Sequence, residues 1–299
     1  MPDAMSTIYF LADDGVVAWL PSFLGSMRRW NPEARLIWIP FSEAIATTER
    51  WVALAGAERF DDDGLLSALE SIGVSLLPDN PVGARLFRKL APLISHRGPF
   101  LFLDSDVVVL GEVTDLASEF VLQARDLMFS DEGMLEVFRA TPWLAAQLEQ
   151  GPVPCFNTGF FVARGGCISF ADVQRLSRDL PGRPSELFAP TGEQPFINLL
   201  FHVRGLRWAS LQDQRPDAVD LVVSASSPRQ MPSRKLALHW AGYKPSVLLP
   251  FASIIFREGI RMAPLRGASI YLMEHVLRDL WRQVRYANYR NATRARRRA

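Results

Sequence analysis

Two carboxylates one residue apart, Asp104 and Asp106, follow the apolar run Phe100-Leu-Phe-Leu103 and precede a second one, Val107-Val-Val-Leu110. Four bulky residues in a row read as a central parallel strand covered on both faces, since an edge strand with one wet face would alternate. The carboxyl end of such a strand is where α/β sheets bind ligands. Paired carboxylate oxygens there suit a hard divalent cation carrying a diphosphate. A bare D-x-D also fits a solvated acidic turn, and it is the flanking apolar runs that favour the buried, metal-binding reading.

Other side chains could serve the same chemistry. Lys89 lies fifteen residues before Asp104, His239 closes a late apolar segment, and Asp13-Asp14 end the first one. Each has a plainer alternative. His239 fits an ordinary hydrogen-bonded residue, and Asp13 or Asp14 fits an N-cap for a helix beginning at Val16. Asn157 fits a turn cap, Gln194 a helix-start residue and Lys244 a solvated loop lysine. His96, His202 and His275 have no supporting pattern and read as structural. Cys155 and Cys167 form no C-x-x-C pair, so zinc-ribbon and thioredoxin chemistry are excluded and a reducing compartment is expected.

The elements that must position these groups alternate. Ser6 to Ala12 predicts a buried strand, Gly15 to Trp30 a helix stopped at Asn31-Pro32, and Arg35 to Phe41 a second strand. Helical spacing continues from Glu43 to Gly73, and Val74 to Leu77 predicts a short third strand. From Ala84 to Ile94 a helix is expected with Leu86, Leu90 and Leu93 on one side and Arg85 and Lys89 on the opposite, polar side. Further strands are predicted at Leu127 to Ser130, Phe156 to Ala163, Leu221 to Ser224 and Lys235 to Trp240. Helices are predicted near Trp143 to Glu149, Ala171 to Asp179 and Pro195 to Val203. This alternation implies an α/β fold with a mostly parallel central sheet flanked by helices.

The chain has 299 residues, 48% of them apolar and 22% charged, which suits a globular body and excludes disordered or fibrous classes. The first residues lack the basic and apolar regions of a signal peptide, and every apolar run is too short to span a membrane. Net charge is +1 but unevenly placed. From Arg278 onward eight arginines and one aspartate give +7, while the 25 basic and 31 acidic residues before them leave −6. From Ser269 onward, Met273, Val276, Leu277, Leu280, Trp281 and Val284 recur at helical spacing. A basic amphipathic helix is expected, either packed on the body or lying on an anionic membrane surface. No basic stripe suggests nucleic acid as a partner.

The motifs resemble, in order, those of family 8 retaining glycosyltransferases, nucleotide-sugar enzymes of the GT-A fold related to glycogenin and to bacterial lipooligosaccharide galactosyltransferases. The segment F-L-F-L-D-S-D-V-V-V-L is similar to the family's metal motif. Phe10-Leu-Ala-Asp13-Asp14 resembles its first strand and acidic turn, and Lys89 the basic residue before the metal motif. Phe156-Asn157-Thr158-Gly159 resembles the F-N-x-G strand, and Glu193-Gln194 the acidic-Gln pair. His239-Trp-Ala-Gly242-Tyr-Lys244-Pro245 resembles the late H-x-x-G…K-P motif. The matches run from Ile8 to Pro245.

The resemblance implies a GT-A catalytic domain over 6–250 and a helical extension with an arginine-rich tail over 251–299. It implies a metal, Mn2+ or else Mg2+, held by Asp104, Asp106 and His239. The donor, a nucleotide-diphosphate sugar, would meet Asp13, Asp14, Lys89, Asp104, Ser105, Asn157, Gly242 and Lys244. Glu193 and Gln194 would act at the anomeric carbon. The expected activity is transfer of a hexose from a UDP-sugar, with retention, to a glycan, lipid-linked or small-molecule acceptor. The expected place is the cytoplasm, with the tail able to reach the inner membrane face. Gly15-Val16 stand where the family often has an aromatic for the uracil, and Pro195 replaces a second acid. Two alternatives therefore stand beside this expectation: a transferase using a non-uridine nucleotide sugar, and a non-catalytic nucleotide-sugar or membrane-binding protein of the same fold.

Overall fold

The computed structural model of the chain describes residues 6–122, 124–129, 137–138, 141–180, 192–211, 222–224, 236–239, 257–259 and 261–262. Strand β1 (Thr7–Ala12) leads through a 3-10 turn (Asp14–Val16) into α1 (Leu20–Trp30) and β2 (Arg35–Pro40). Next come α2 (Ala46–Leu54), the short β3 (Glu58–Arg59) and α3 (Asp63–Leu76). A composite helix comes after these: α4 (Pro81–Arg85), a 3-10 segment (Leu86–Leu90) and α5 (Ala91–Ser95). Strands β4 (Gly98–Leu103) and β5 (Val107–Val109) flank the D-S-D turn. Beyond them lie α6 (Asp115–Leu122), β6 (Leu127–Phe129), α7 (Pro142–Gln150), β7 (Phe160–Gly165) and α8 (Phe170–Asp179). Helix α9 (Glu193–Val203), β8 (Trp208–Ser210), β9 (Val222–Ser224) and β10 (Ala237–His239) complete the described elements.

Seven strands form one sheet in the order β3-β2-β1-β4-β7-β6-β8, and β5, β10 and β9 form a second. In the large sheet β7 alone is reversed, pairing antiparallel with both β4 and β6. Both faces are covered, and the pleat shows it. Tyr9, Leu11, Phe100 and Phe102 point into one core with α3, the 86–95 segment, α8 and α9. Ile8, Phe10, Leu101 and Leu103 point into the other, with α1, Val52 and α6. Period-2 alternation between two apolar layers explains why these strands carry no polar face.

Several expectations change on contact with this structure. Val74 to Leu77 is not a strand, because the segment continues α3 to Leu76, a helix capped at its start by the Asp62 carboxylate accepting from Leu65 N–H. The helix predicted from Ala84 is broken by the 3-10 segment, after which Pro92 stands in the first turn of α5. Three residues per turn instead of 3.6 rotates the side chains beyond the break. Lys89 is therefore buried, at 3% exposure, instead of lying on a polar side, and Arg88 is buried with it. Helix α1 begins at Leu20 rather than near Gly15, with Pro21 in its first turn. Regular strand begins at Phe160, leaving Phe156 to Gly159 as an irregular approach to β7.

Within 251–299, Glu258 is fully buried against α1, accepting from Arg29 Nη1 and Arg257 Nε at 2.8 Å each. Its carbonyl oxygen comes so close to Gly25 that a Cβ there would lie 2.1 Å away. The amphipathic segment from Ser269, with Gly242 and Lys244, lies outside the described residues. No helix among the described residues is long and apolar enough to cross a membrane.

Candidate metal and donor site

The parallel pairing of β1 with β4, Tyr9 opposite Phe102, carries Asp13 and Asp104 to the same carboxyl edge of the sheet. Because β7 is reversed, it is the residues before it that reach this edge. Asp104 N–H donates to the Gly159 carbonyl at 2.8 Å, joining the D-S-D turn to that approach segment. In the small sheet, β10 pairs antiparallel with β5, His239 opposite Val107. This delivers the imidazole to the turn, with His239 Nε2 3.5 Å from Asp106 Oδ1. Asp104, Asp106 and His239 each present one ligand atom, all within 4.8 Å of one another.

Gly159 explains how the imidazole fits. A Cβ at that position would lie 2.3 Å from His239 Cε1 and 2.6 Å from Nε2. The glycine is needed for close approach, with no special backbone angle involved.

Lys89 sits beneath the turn. Its Nζ is 2.9 Å from Asp104 Oδ1, 3.1 Å from Asp104 Oδ2 and 2.9 Å from Glu193 Oε1. Burial alone would push Lys89 towards the neutral amine, but Asp104 and Glu193 outweigh it and hold the ammonium above its ordinary range. Burial likewise raises Glu193, against the pull of Lys89 and of the Thr158 hydroxyl that donates to Oε1 at 2.9 Å. The other oxygen, Oε2, is buried without a hydrogen-bond partner among the described residues. Two carboxylates thus hold one ammonium, and on the other side of the turn Asp104, Asp106 and His239 present two carboxylate oxygens and an imidazole nitrogen within 4.8 Å of one another. That donor set, with excess negative charge, fits a divalent cation.

Glu193 and Gln194 form the first turn of α9, after Gly192 in the left-handed region at φ 73°. Gln194 Oε1 accepts from Thr158 N–H at 3.3 Å. Asn157 Oδ1 accepts from Gly159 N–H at 2.8 Å, so this side chain does serve as a turn cap within the site.

Asp13 and Asp14 have backbone duties. Asp13 accepts from Gly15 N–H and from the Ser42 hydroxyl, at 2.9 and 2.6 Å. Asp14 reaches across to the start of α2, accepting from Thr47 and Thr48 N–H groups and the Thr48 hydroxyl. Burial opposes its ionisation, but these bonds prevail and hold the carboxyl below its ordinary value.

The fold of this chain recurs in solved structures. The galactosyltransferase LgtC, determined in complex with donor and acceptor sugar analogues, superposes with a TM-score of 0.58 at 16% identity, over 88% of this chain and 99% of that one. The fold is that of GT-A glycosyltransferases. The bifunctional glycosyltransferase WbbM matches with a TM-score of 0.57 at 13% identity, over 91% of this chain, which spans 52% of WbbM, about half its length. Mouse xyloside xylosyltransferase 1 matches at 0.50 and 14% identity, over 79% of this chain and 97% of that one. At these identities the likeness is one of fold. No protein-family model matches the chain, and no curated protein does.

On this GT-A frame the structure brings Lys89, Asp104, Asp106, Asn157, Glu193, Gln194 and His239 into one neighbourhood, with Ser105 buried in the turn. Sequence reasoning misses two members. Thr158 bridges Lys89 and Glu193, with its hydroxyl 3.4 Å from Nζ, but its only signal is its place inside F-N-T-G. Asn198 is fully buried, and a lone amide within the apolar run Phe196-Ile-Asn-Leu-Leu-Phe201 is a signal that points to it.

Proposed function

We propose that the chain is a metal-dependent retaining glycosyltransferase of the family 8 type, transferring a hexose from a UDP-sugar to a glycan, lipid-linked or small-molecule acceptor. The observation that carries this reading is the Asp104, Asp106 and His239 cluster, with ligand atoms within 4.8 Å, at the carboxyl edge of a GT-A sheet. Mixed carboxylate and imidazole ligation favours Mn2+, since Mg2+ is better served by oxygen and water alone. Bound there, the cation would neutralise charge developing on the departing diphosphate.

The chain's own residues supply the rest. Lys89, locked between Asp104 and Glu193, holds the D-S-D turn and the start of α9 in fixed relation and contributes a buried positive charge near the leaving group. Glu193 Oε2, buried and without a partner among the described residues, is an acceptor suited to a donor-sugar hydroxyl. Gln194 and Asn157 flank the sugar, Gln194 stabilising positive charge at the anomeric carbon. Glu193 Oε1 is occupied by Lys89 and Thr158, and with Oε2 given to a sugar hydroxyl neither oxygen is left to act as nucleophile. That favours attack by the acceptor hydroxyl on the face the diphosphate leaves, with the departing phosphate oxygen taking the proton. Asp13 and the adjoining turn lie at the same sheet edge and would border the nucleoside.

Calorimetric titration with UDP, GDP, ADP and dTDP, each with Mn2+ and again with chelator, tests the reading. Mn2+-dependent binding of UDP is expected. Selective binding of another diphosphate would reassign the donor, and binding of none would favour the non-catalytic alternative.

A further inference from the structure

We propose that Asn198 is a positioning residue that sets the geometry of the donor-sugar side of the site, although it lies one turn deeper than any group placed there. This rests on the function proposed above. Asn198 Oδ1 accepts from Phe156 N–H at 2.9 Å, and Nδ2 donates to the Phe156 carbonyl at 3.0 Å. Its amide thus imitates a neighbouring strand, engaging both backbone groups of one residue. Nδ2 also donates to the Gln194 carbonyl at 2.8 Å, back along α9. One side chain therefore ties the backbones of two pieces of the site, the approach segment before β7 and the first turn of α9, which Thr158 otherwise links only through the Glu193 and Gln194 side chains.

The residues beyond Phe156 make the tie consequential. Phe156 is fully buried, stacked on Phe129 at 4.9 Å and 12° and edge-on to Phe161, so the anchor point is rigid. The next three residues all touch the site. Asn157 caps Gly159, Thr158 joins Lys89 to Glu193, and Gly159 accepts from Asp104 N–H while leaving room for His239. On the other side, the held carbonyl belongs to Gln194 itself. The approach segment makes only an isolated bridge at Phe156 before β7 begins at Phe160. Without the amide, three buried backbone groups lose a partner, and the approach segment is held to α9 only by the Thr158 bonds to the Glu193 and Gln194 side chains, which allow it to shift. The metal ligands Asp104 and Asp106 are held mainly by β4, β5 and Lys89, and the one bond between the approach segment and Asp104 is made at Gly159, the residue next to the start of β7 and farthest from Phe156. Loss of Asn198 should therefore misplace the sugar-facing groups and leave the cation site in place.

The test uses Asn198→Leu, close in shape without the hydrogen bonds, and Asn198→Asp, which keeps the acceptor for Phe156 N–H. Asn31→Ala serves as a comparator, because Asn31 is equally buried and accepts from Val113 N–H but lies outside the site. Two readouts are taken at a temperature where all variants are folded. Hydrogen exchange over 156–159 and 193–194 should quicken about tenfold or more in Asn198→Leu, with exchange at the centre of β7 unchanged. Donor turnover should fall about 100-fold in kcat, the scale of a misplacement near 1 Å, with Mn2+ affinity within about threefold of wild type. Asn198→Asp should recover part of kcat, and Asn31→Ala should lower the melting temperature with kcat unchanged.

If Asn198→Leu changes only the melting temperature, as Asn31→Ala does, or if kcat survives the exchange change, Asn198 is a packing residue and the proposal fails. If wild type turns over no nucleotide sugar, the functional reading is lost. Exchange alone then decides the positioning role: coupled quickening in both segments sustains it and its absence ends it.

Discussion

The two acidic turns at the ends of β1 and β4 look alike in sequence and sit side by side at one sheet edge, yet their carboxylates have different partners. Asp13 and Asp14 accept from neutral groups, the N–H of Gly15 and the N–H groups and hydroxyls around the start of α2. Asp104 and Asp106 meet charged or ligating groups, the Lys89 ammonium and the His239 imidazole. The first pair organises backbone, and the second collects charge. Position at a carboxyl edge makes metal chemistry possible, and the nature of the partners distinguishes the two turns.

The largest expected effect comes from the charge-collecting turn. Asp106→Asn should cut Mn2+-dependent donor turnover by about a thousandfold or more, since Lewis-acid stabilisation is worth several kcal/mol, while circular dichroism stays that of the folded chain. Undiminished turnover in Mn2+ would erase the distinction between the turns. Lys89→Met should destabilise by about 3 to 5 kcal/mol in urea titration, because it leaves two carboxylates facing each other in a buried place. Adding Glu193→Gln should restore a measurable part of that loss, and additivity of the two changes would argue against the pairing.

The backbone-organising turn should respond more mildly. Asp14→Ala should cost about 1 kcal/mol, as loss of a helix cap does, and leave Mn2+ affinity unchanged in calorimetry. The sign of its pH dependence comes from a folded value below the unfolded one. Its contribution is complete above about pH 4 and is lost as pH falls through the lower folded value, so acid-unfolding curves of Asp14→Ala should be flatter there. The smallest effect is expected remote from both turns. Ser169→Ala breaks the capping box with Asp172 at the start of α8 and should lower stability by about 0.5 to 1 kcal/mol with no change in ligand binding.

Much of this arrangement is legible in the residues alone. The runs around Asp104 and Asp106 announce a strand covered on both faces, and β4 has Phe100 to Leu103 fully buried. Helices α7, α8 and α9 fall within one or two residues of their predicted spans. The failures have physical causes. Val74 to Leu77 is as apolar as a short strand, and only packing decides that it extends α3. A period of 3.6 puts Lys89 on a polar face, and the 3-10 segment does not keep that period. Strands β3 and β8 have two and three residues, too few for any alternation to register. Within the site, the identities of Asp104, Asp106, Glu193 and His239 are visible as motifs. Their joining through Lys89, Thr158 and Asn198 is not, because buried side-chain bonds between distant segments leave no periodic trace.

The pairing of β10 with β5 also has a consequence in time. Of the three candidate ligands His239 is the last to emerge during synthesis, 133 residues after Asp106, and it reaches the turn through that antiparallel register. A nascent chain that has already assembled β1 to β8 holds both carboxylates but no imidazole. On the proposed metal reading, tight capture would wait until synthesis has passed residue 239, and a shorter nascent chain would compete poorly for the cation.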